Sequence, residues 1–342
     1  MKKSLLFVTS KWCDAIPKNS FSNESRNHFA TFRQDVPDYN FNTLFLDECS
    51  IIYKSKIDEV LIEYCDKYKP DIIIYSLIAD SIYNPSKETF LYLKKTGVLQ
   101  FMLWSDTGPD WGGWGSGTIR HLSDSIDAFF STDYATSWIY DASPSVSNHL
   151  HLWTPLDKDI FYKPLSDDER DIDISFLGSI DKYKDRMAFA ALMNDLSKKT
   201  ALNILISGGE RTNNLTPEEY GSLMRRSKIG VNFSLSQTGV FHQSKGRVLE
   251  YTAAGALLLE SANPSTSCFF EPNKDYIEFT TFKDMLEKME FYLTNPKERA
   301  IIADNGNKKF LEKYSSKKVW ERFFNIVSHV KAGKVLTKFQ RI

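Results

Sequence analysis

Residues 242–264 read His-Gln-Ser-Lys-Gly-Arg-Val-Leu-Glu-Tyr-Thr-Ala-Ala-Gly-Ala-Leu-Leu-Leu-Glu-Ser-Ala-Asn-Pro. Ser244 is of a type that caps helix N-termini and Gly255 of the type that ends helices. The residues between them are therefore expected to form a short helix feeding an apolar strand at 256–259. Loop, helix and buried strand in that order make one unit of an α/β domain. At helical spacing Val248, Leu249 and Thr252 share one face, while Arg247, Glu250, Tyr251 and Ala254 share another. The first face is expected to pack and the second to stay open to a ligand.

The charges on the second face come in a definite order. Lys245 and Arg247 stand at the helix start, where unpaired N–H groups and the macrodipole already favour an anion, and Gly246 allows close approach to the backbone. Together they suit a phosphate or diphosphate. Glu250, about one turn further on, could accept hydrogen bonds from the hydroxyls of a ribose. The alternative is an Arg247–Glu250 pair at i, i+3 on a solvated face, worth a few tenths of a kcal/mol.

At 342 residues with 42% hydrophobic, the chain suits two α/β domains of about 150 residues, each able to bury a core. The net charge of −1, with acids and bases interspersed, gives no reason to expect a nucleic-acid or anionic-membrane surface. The start, Met-Lys-Lys-Ser-Leu-Leu-Phe-Val-Thr-Ser, has too short an apolar run for a signal peptide and reads as a first buried strand. No apolar run approaches the roughly 18 to 20 residues of a membrane span. Cys13, Cys49, Cys65 and Cys268 are scattered without a CxxC pair, so neither zinc nor a disulfide framework is expected, and a cytoplasmic location is the simplest.

The first half alternates apolar β runs at 5–8, 43–46, 71–75, 98–103, 128–130 and 149–153 with helix-like segments at 24–33, 57–68 and 85–95. That is the pattern of a parallel, Rossmann-like sheet, although no G-x-G-x-x-G occurs, which argues against a dinucleotide dehydrogenase. Open α/β sheets bind ligands beyond the carboxyl ends of their strands. Two loops there stand out. One, at 10–26, carries Trp12. The other is Trp104-Ser-Asp-Thr-Gly-Pro-Asp-Trp-Gly-Gly-Trp-Gly, where Trp111 and Trp114 offer flat faces on which a sugar's C–H groups could stack. The same tryptophans could instead cap the core. Asp106 ends a buried strand and is a candidate to contact an acceptor hydroxyl and take its proton; a turn role is the alternative.

Two prolines, Pro155 and Pro164, and the acid-rich run 167–173 mark a domain boundary. The expected organisation is an N-terminal domain at 1–156, a C-terminal domain at 157–316 and a final amphipathic helix within 317–342. Within the second domain, Asp173-Ile-Ser-Phe-Leu-Gly-Ser reads as a strand ending at Gly178 and Ser179, followed by a helix from about Asp185 that carries Arg186. Thr216-Pro217-Glu218-Glu219 is a well-signalled helix start, and residues 227–234 read as another inner strand.

Taken together, Lys245, Arg247, Glu250, Ala253, Ala254, Gly255, Leu257, Leu258 and Leu259 resemble the K-x-R-x-x-E-x-x-A-A-G-x-L-L-L segment of GT-B glycosyltransferases of the group 1 type, especially the CgeB-like spore-maturation glycosyltransferases. Residues 154–164 and the Phe-x-Gly-Ser of 176–179 with Arg186 resemble other segments of that family. The resemblance implies a GT-B fold, two Rossmann-like domains with parallel sheets facing a central cleft, and a final helix that returns to the first domain. It implies that Glu250 holds the ribose of a nucleotide diphosphate-sugar and that Lys245, Gly246 and Arg247 hold its diphosphate. Gly178, Ser179 and Arg186 would contact the donor phosphates, and the loops carrying Gly208 and Ser234 would flank the base. Asp106 resembles an Asp that such sequences carry after the equivalent strand. Where many members carry a Glu near the transferred sugar, this chain has His242, a second candidate catalytic residue.

The implied activity is transfer of a sugar to an unidentified acceptor hydroxyl on a carbohydrate, lipid-linked or protein acceptor, without a metal or other cofactor. A nucleotide-sugar 2-epimerase and a non-catalytic nucleotide- or glycan-binding assembly protein remain as alternatives.

Overall fold

The computed structural model describes residues 3–12, 15–18, 23–77, 82–104, 114–133, 148–207 and 215–334, with the backbone alone at 23–25 and 114–116. The chain divides into two compact units, Met1–Pro155 with Val319–Ile342, and Leu156–Lys318.

The first unit holds a parallel six-stranded sheet of β1 (Lys3–Thr9), β2 (Tyr39–Phe45), β3 (Ile72–Ser76), β4 (Leu99–Trp104), β5 (Ala128–Ser131) and β6 (His149–His151), in the order β2-β1-β3-β4-β5-β6. Its helices are α1 (Asn23–Asp35), α2 (Leu46–Ile51), α3 (Ile57–Tyr68), α4 (Lys87–Lys95) and α5 (Trp114–Leu122). The inner strands β3, β4 and β5 are apolar at nearly every position because both faces of the sheet are covered there, while the edge strand β2 alternates with Asn40 and Asn42. Leu6, Val8, Ile73, Tyr75, Met102 and Phe129 face one way, onto Leu61, Phe90, Leu93 and Ile119 of α3, α4 and α5. On the opposite face Phe7 meets Phe29 of α1. Sequence reading missed α2 and α5, and it placed Leu46 in the second strand. That strand instead begins at Tyr39, and Leu46 opens α2.

The second unit carries α6 (Lys158–Phe161), β7 (Ile172–Leu177), α7 (Lys184–Lys199), β8 (Ile204–Ser207), α8 (Pro217–Arg226), β9 (Ser227–Asn232), α9 (Gly246–Ala253), β10 (Leu257–Ser261), α10 (Pro264–Ser267), β11 (Ile277–Phe279), α11 (Phe282–Thr294) and α12 (Pro296–Lys313). Its parallel sheet runs β11-β10-β9-β7-β8. Ile174, Phe176, Val231 and Leu259 point into a core with Phe189 of α7 and Met285 of α11. Side chains alternate along a strand, so the intervening residues Ser175, Gly230, Asn232 and Glu260 point to the other face. That alternation decides the site. No helix among the described residues is long and apolar enough to cross a membrane.

The last helix, α13 (Ser316–Lys331), packs its aromatic residues into the first unit. Trp320 is buried, its indole N–H donating to Thr31 Oγ1 at 3.0 Å and its ring meeting Phe32 edge-on at 5.0 Å. Phe323 lies 5.3 Å from Phe101 and 5.5 Å from Phe130.

Candidate functional site

In the second unit the strand order reverses between β7 and β9: the chain goes from β7 outward to β8, then returns to lay β9 on the other side of β7. Loops leaving such a pair of strands diverge and open a crevice at their carboxyl ends, where ligands of α/β sheets bind. The residues there are Gly178 and Ser179 after β7, Ser234 after β9, and α9, which follows β9 through a folded-back loop. In that loop Leu235 and His242 form an isolated antiparallel bridge, and Gln243 N–H returns to Ser234 O at 2.8 Å.

Helix α9 lies over β9 in a matched register. Arg247 and Tyr251, four residues apart, sit above Asn232 and Gly230, two apart on the strand. Arg247 Nε donates to Asn232 Oδ1 at 2.7 Å, Nη1 reaches Leu177 O at 3.3 Å, and the guanidinium lies 5.0 Å from the Phe176 ring centroid. A Cβ on Gly178, whose φ is +153°, would stand 2.0 Å from Arg247 Nη1, so only glycine leaves room for this side chain. Arg247 Nη2 is shielded from solvent and has no hydrogen-bond partner. An unpaired buried donor on a cation is costly, and an anionic ligand would satisfy it.

Glu250 is half-buried and accepts a hydrogen bond from the Tyr220 hydroxyl of α8 at 2.8 Å. Burial pushes its carboxyl above the usual range, while Tyr220 and Arg247 pull it back down. Burial and the Glu250 charge push the Tyr220 phenol well up, so it stays a donor. Lys245 is at the N-cap position of α9 with no side-chain cap; its ammonium pairs with Gln243 Oε1 and lies 5.6 Å from the Tyr183 ring centroid.

His242 Nδ1 lies 2.7 Å from Ser234 Oγ, and Ser234 Oγ lies 3.2 Å from Ser261 Oγ at the end of β10. Burial lowers the imidazole's pKa, which favours the neutral ring. Arg186 is 2% exposed. Its Nη1 donates to Ser179 O at 2.9 Å and Nη2 to Phe233 O at 3.1 Å, while the guanidinium stacks 3.6 Å from the Tyr183 centroid. Burial and the neighbouring Arg247 bring it down to about 10, and it remains a cation at neutral pH. Arg186 thus clamps together the two loops that leave the reversed strands.

The structure brings Gly178, Ser179, Arg186, Ser234, His242, Lys245, Gly246, Arg247 and Glu250 to this one end of the sheet. It corrects two sequence expectations. The helix is capped at Lys245 instead of Ser244, and Tyr251 and Ala254 are fully buried instead of lying on an open face. Tyr251 turns inward because its hydroxyl finds Ser175 Oγ at 3.0 Å across the sheet. Asp106, Trp111 and Gly208 lie outside the described residues, as does the side chain of Trp114. Trp12 is half-buried in the first unit, where the wholly buried Asp47 accepts from Lys11 N–H at 2.8 Å and Trp12 N–H at 3.1 Å. Sequence reasoning missed Tyr220, Asn232 and Glu260. The signal for the last was present: an acid directly after Leu-Leu-Leu, at the end of an inner strand, cannot be there for packing alone. Among the described residues no group of three or more His, Cys, Asp or Glu side chains could hold a metal ion.

A family model described as "Glycosyl transferase-like" matches residues 161–325. No curated protein sequence gives a significant match. Among solved structures, HepE from Anabaena in complex with UDP superposes with a TM-score of 0.62 at 7% identity, over 95% of this chain and 99% of that one. HepE has also been solved with UDP-glucose. Sucrose-phosphate synthase from Thermosynechococcus elongatus gives a TM-score of 0.66 at 8% identity, over 97% and 100% of the two chains. A putative UDP-N-acetylglucosamine 2-epimerase from Listeria monocytogenes gives 0.60 at 10% identity, over 98% of each. The fold is GT-B, an α/β architecture with two parallel sheets.

Proposed function

We propose that the chain is a glycosyltransferase that takes a sugar from a nucleoside diphosphate-sugar. The observation that carries this reading is the placement of Arg247, aimed by Asn232 and admitted by Gly178, at the reversal point of a parallel sheet. Arg247, Lys245 and the N-terminus of α9 hold the diphosphate; Glu250, backed by Tyr220, holds the ribose. In the reaction the bond from the anomeric carbon to the diphosphate oxygen breaks, and an acceptor oxygen bonds to that carbon. The acceptor's proton passes to a base, for which Asp106 is the candidate, and the charge left on the diphosphate meets the cations already in place. No metal is needed for that stabilisation. The match over residues 161–325 and the UDP and UDP-glucose bound by HepE support a uridine-type donor. The Lys245–Leu259 pattern supports kinship with CgeB-like enzymes acting in the cytoplasm on a carbohydrate, lipid-linked or protein acceptor, with Trp12, Trp111 and Trp114 as the acceptor platform.

The test is calorimetric titration of UDP into the wild type, Arg247→Ala and Glu250→Ala. Each variant is expected to raise Kd tenfold or more, about 1.4 kcal/mol. Unchanged affinity in both folded variants would remove the basis of the reading. The likeness to the Listeria protein favours a second reading, epimerisation at C2 of the bound sugar. Transfer to water or an alcohol without any epimer discriminates against it, and tight UDP binding with no turnover of any donor would mark a non-catalytic binder.

A further inference from the structure

Asn232 and Glu260 are register partners on β9 and β10, and both are fully buried. Asn232 Oδ1 accepts from Arg247 Nε at 2.7 Å, and its Nδ2 donates to Glu260 Oε2 at 2.7 Å. An amide has its acceptor and its donors at opposite corners, so Glu260 dictates which of them Arg247 meets. We propose that Glu260 is a proton-linked positioning residue: it holds the amide that aims Arg247, and its negative charge competes with a bound diphosphate for the same guanidinium, so that donor binding brings a proton onto Glu260. This rests on Arg247 being the diphosphate ligand.

The surroundings have a place for that proton. Glu260 Oε1 lies 3.3 Å from Thr266 Oγ1, a hydroxyl that can turn from donor to acceptor while Oε2 goes on accepting from Asn232. Asn263 Nδ2 stands 3.1 Å from Thr266 Oγ1, 3.2 Å from Gln243 O and 3.5 Å from Oε1. The charged groups facing Glu260 are Arg247 from α9 and Arg186 from α7; the Tyr276 phenol, ahead of β11, is kept neutral by burial and by its acidic neighbours. Burial raises Glu260 to about 7, against the pull of Asn232, Asn263, Arg247 and Thr266. The group is therefore divided between its two forms near neutral pH. A diphosphate that neutralises Arg247 removes part of the attraction holding Glu260 ionised, and the carboxyl takes up a proton. By linkage the affinity for the diphosphate falls as pH rises through this range.

The experiment is isothermal titration of UDP-glucose, whose diphosphate is esterified at both ends and carries no group titrating near neutrality. It is run in HEPES and in Tris at matched pH, and repeated from pH 6 to 8. The wild type is expected to take up protons on binding and to show a Kd rising by about threefold to tenfold over that interval. Glu260→Gln, which mimics the protonated carboxyl, is expected to bind with no proton uptake and a flat profile. Equal proton uptake by the wild type and this variant, or a flat wild-type profile, overturns the proposal while leaving the donor-binding reading intact. Failure of the wild type to bind either UDP-glucose or UDP removes that reading, and this proposal falls with it. Should Glu260→Gln not fold, difference infrared spectroscopy of the wild type with and without UDP-glucose serves instead. Binding at neutral pH is expected to raise the C=O stretch of a protonated carboxyl, and its absence would overturn the proposal.

Discussion

Gly178 shows how much of the site rests on one missing carbon. Its place after β7 sets the turn beneath the Arg247 guanidinium, and any Cβ there would collide with Nη1 at 2.0 Å. Arg247 cannot simply step aside, because Nε is committed to Asn232 and the plane lies over Phe176. Gly178→Ala is therefore expected to displace the guanidinium and to raise Kd for UDP at least tenfold, about 1.4 kcal/mol, by calorimetry. A variant binding UDP as the wild type does would mean that the observed position of Arg247 is not the binding one. Arg186 illustrates the opposite case. Its Nη1 and Nη2 each give a hydrogen bond to a backbone carbonyl, Ser179 O and Phe233 O, so its charge is tied to the shape of the two loops it clamps.

At the scale of elements, α9 delivers its N-terminus to the crevice only because its other end is anchored. Gly255, with φ +69°, ends the helix in the left-handed region, and the chain turns directly into β10. Arg170, 6% exposed, holds that junction. Its guanidinium donates to Arg225 O at 2.6 Å, Ser227 O at 2.8 Å, Ala254 O at 3.1 Å and Gly255 O at 2.8 Å, stitching the end of α8 and the start of β9 to the end of α9. Arg170→Ala leaves buried carbonyls without donors, and a loss of about 3–5 kcal/mol is expected in urea unfolding followed by circular dichroism. A midpoint within error of the wild type would show that water replaces the guanidinium there at little cost. The capping box of α8, where Thr216 Oγ1 accepts from Glu219 N–H and the Glu219 carboxylate accepts from Thr216 N–H, fixes the helix that presents Tyr220 to Glu250.

For the whole molecule, the first unit is built from both ends of the chain. Trp320 fills a site made by His28, Thr31 and Phe32 of α1, nearly three hundred residues earlier. Trp320→Ala is expected to cost about 3–5 kcal/mol and to speed hydrogen exchange in α1 and β2, leaving β9 and β10 protected. Exchange that rises equally in both sheets would show that the two units do not unfold separately. What the sequence by itself determined was local. The runs of β-branched and aromatic residues marked nearly every strand, the Thr216-Pro217-Glu218-Glu219 signal marked α8, and the 245–250 spacing put Lys245, Arg247 and Glu250 within two turns of one helix. Intervals of this kind follow from the helical and strand periods, which each segment carries within itself. Only the tertiary structure decided the rest. It turned Tyr251 and Ala254 inward, set Arg186 between two carbonyls and paired Asn232 with Glu260. Those outcomes depend on which strand lies beside which and in what register, and that choice is made by burying side chains distant in sequence, not by any pattern within one segment.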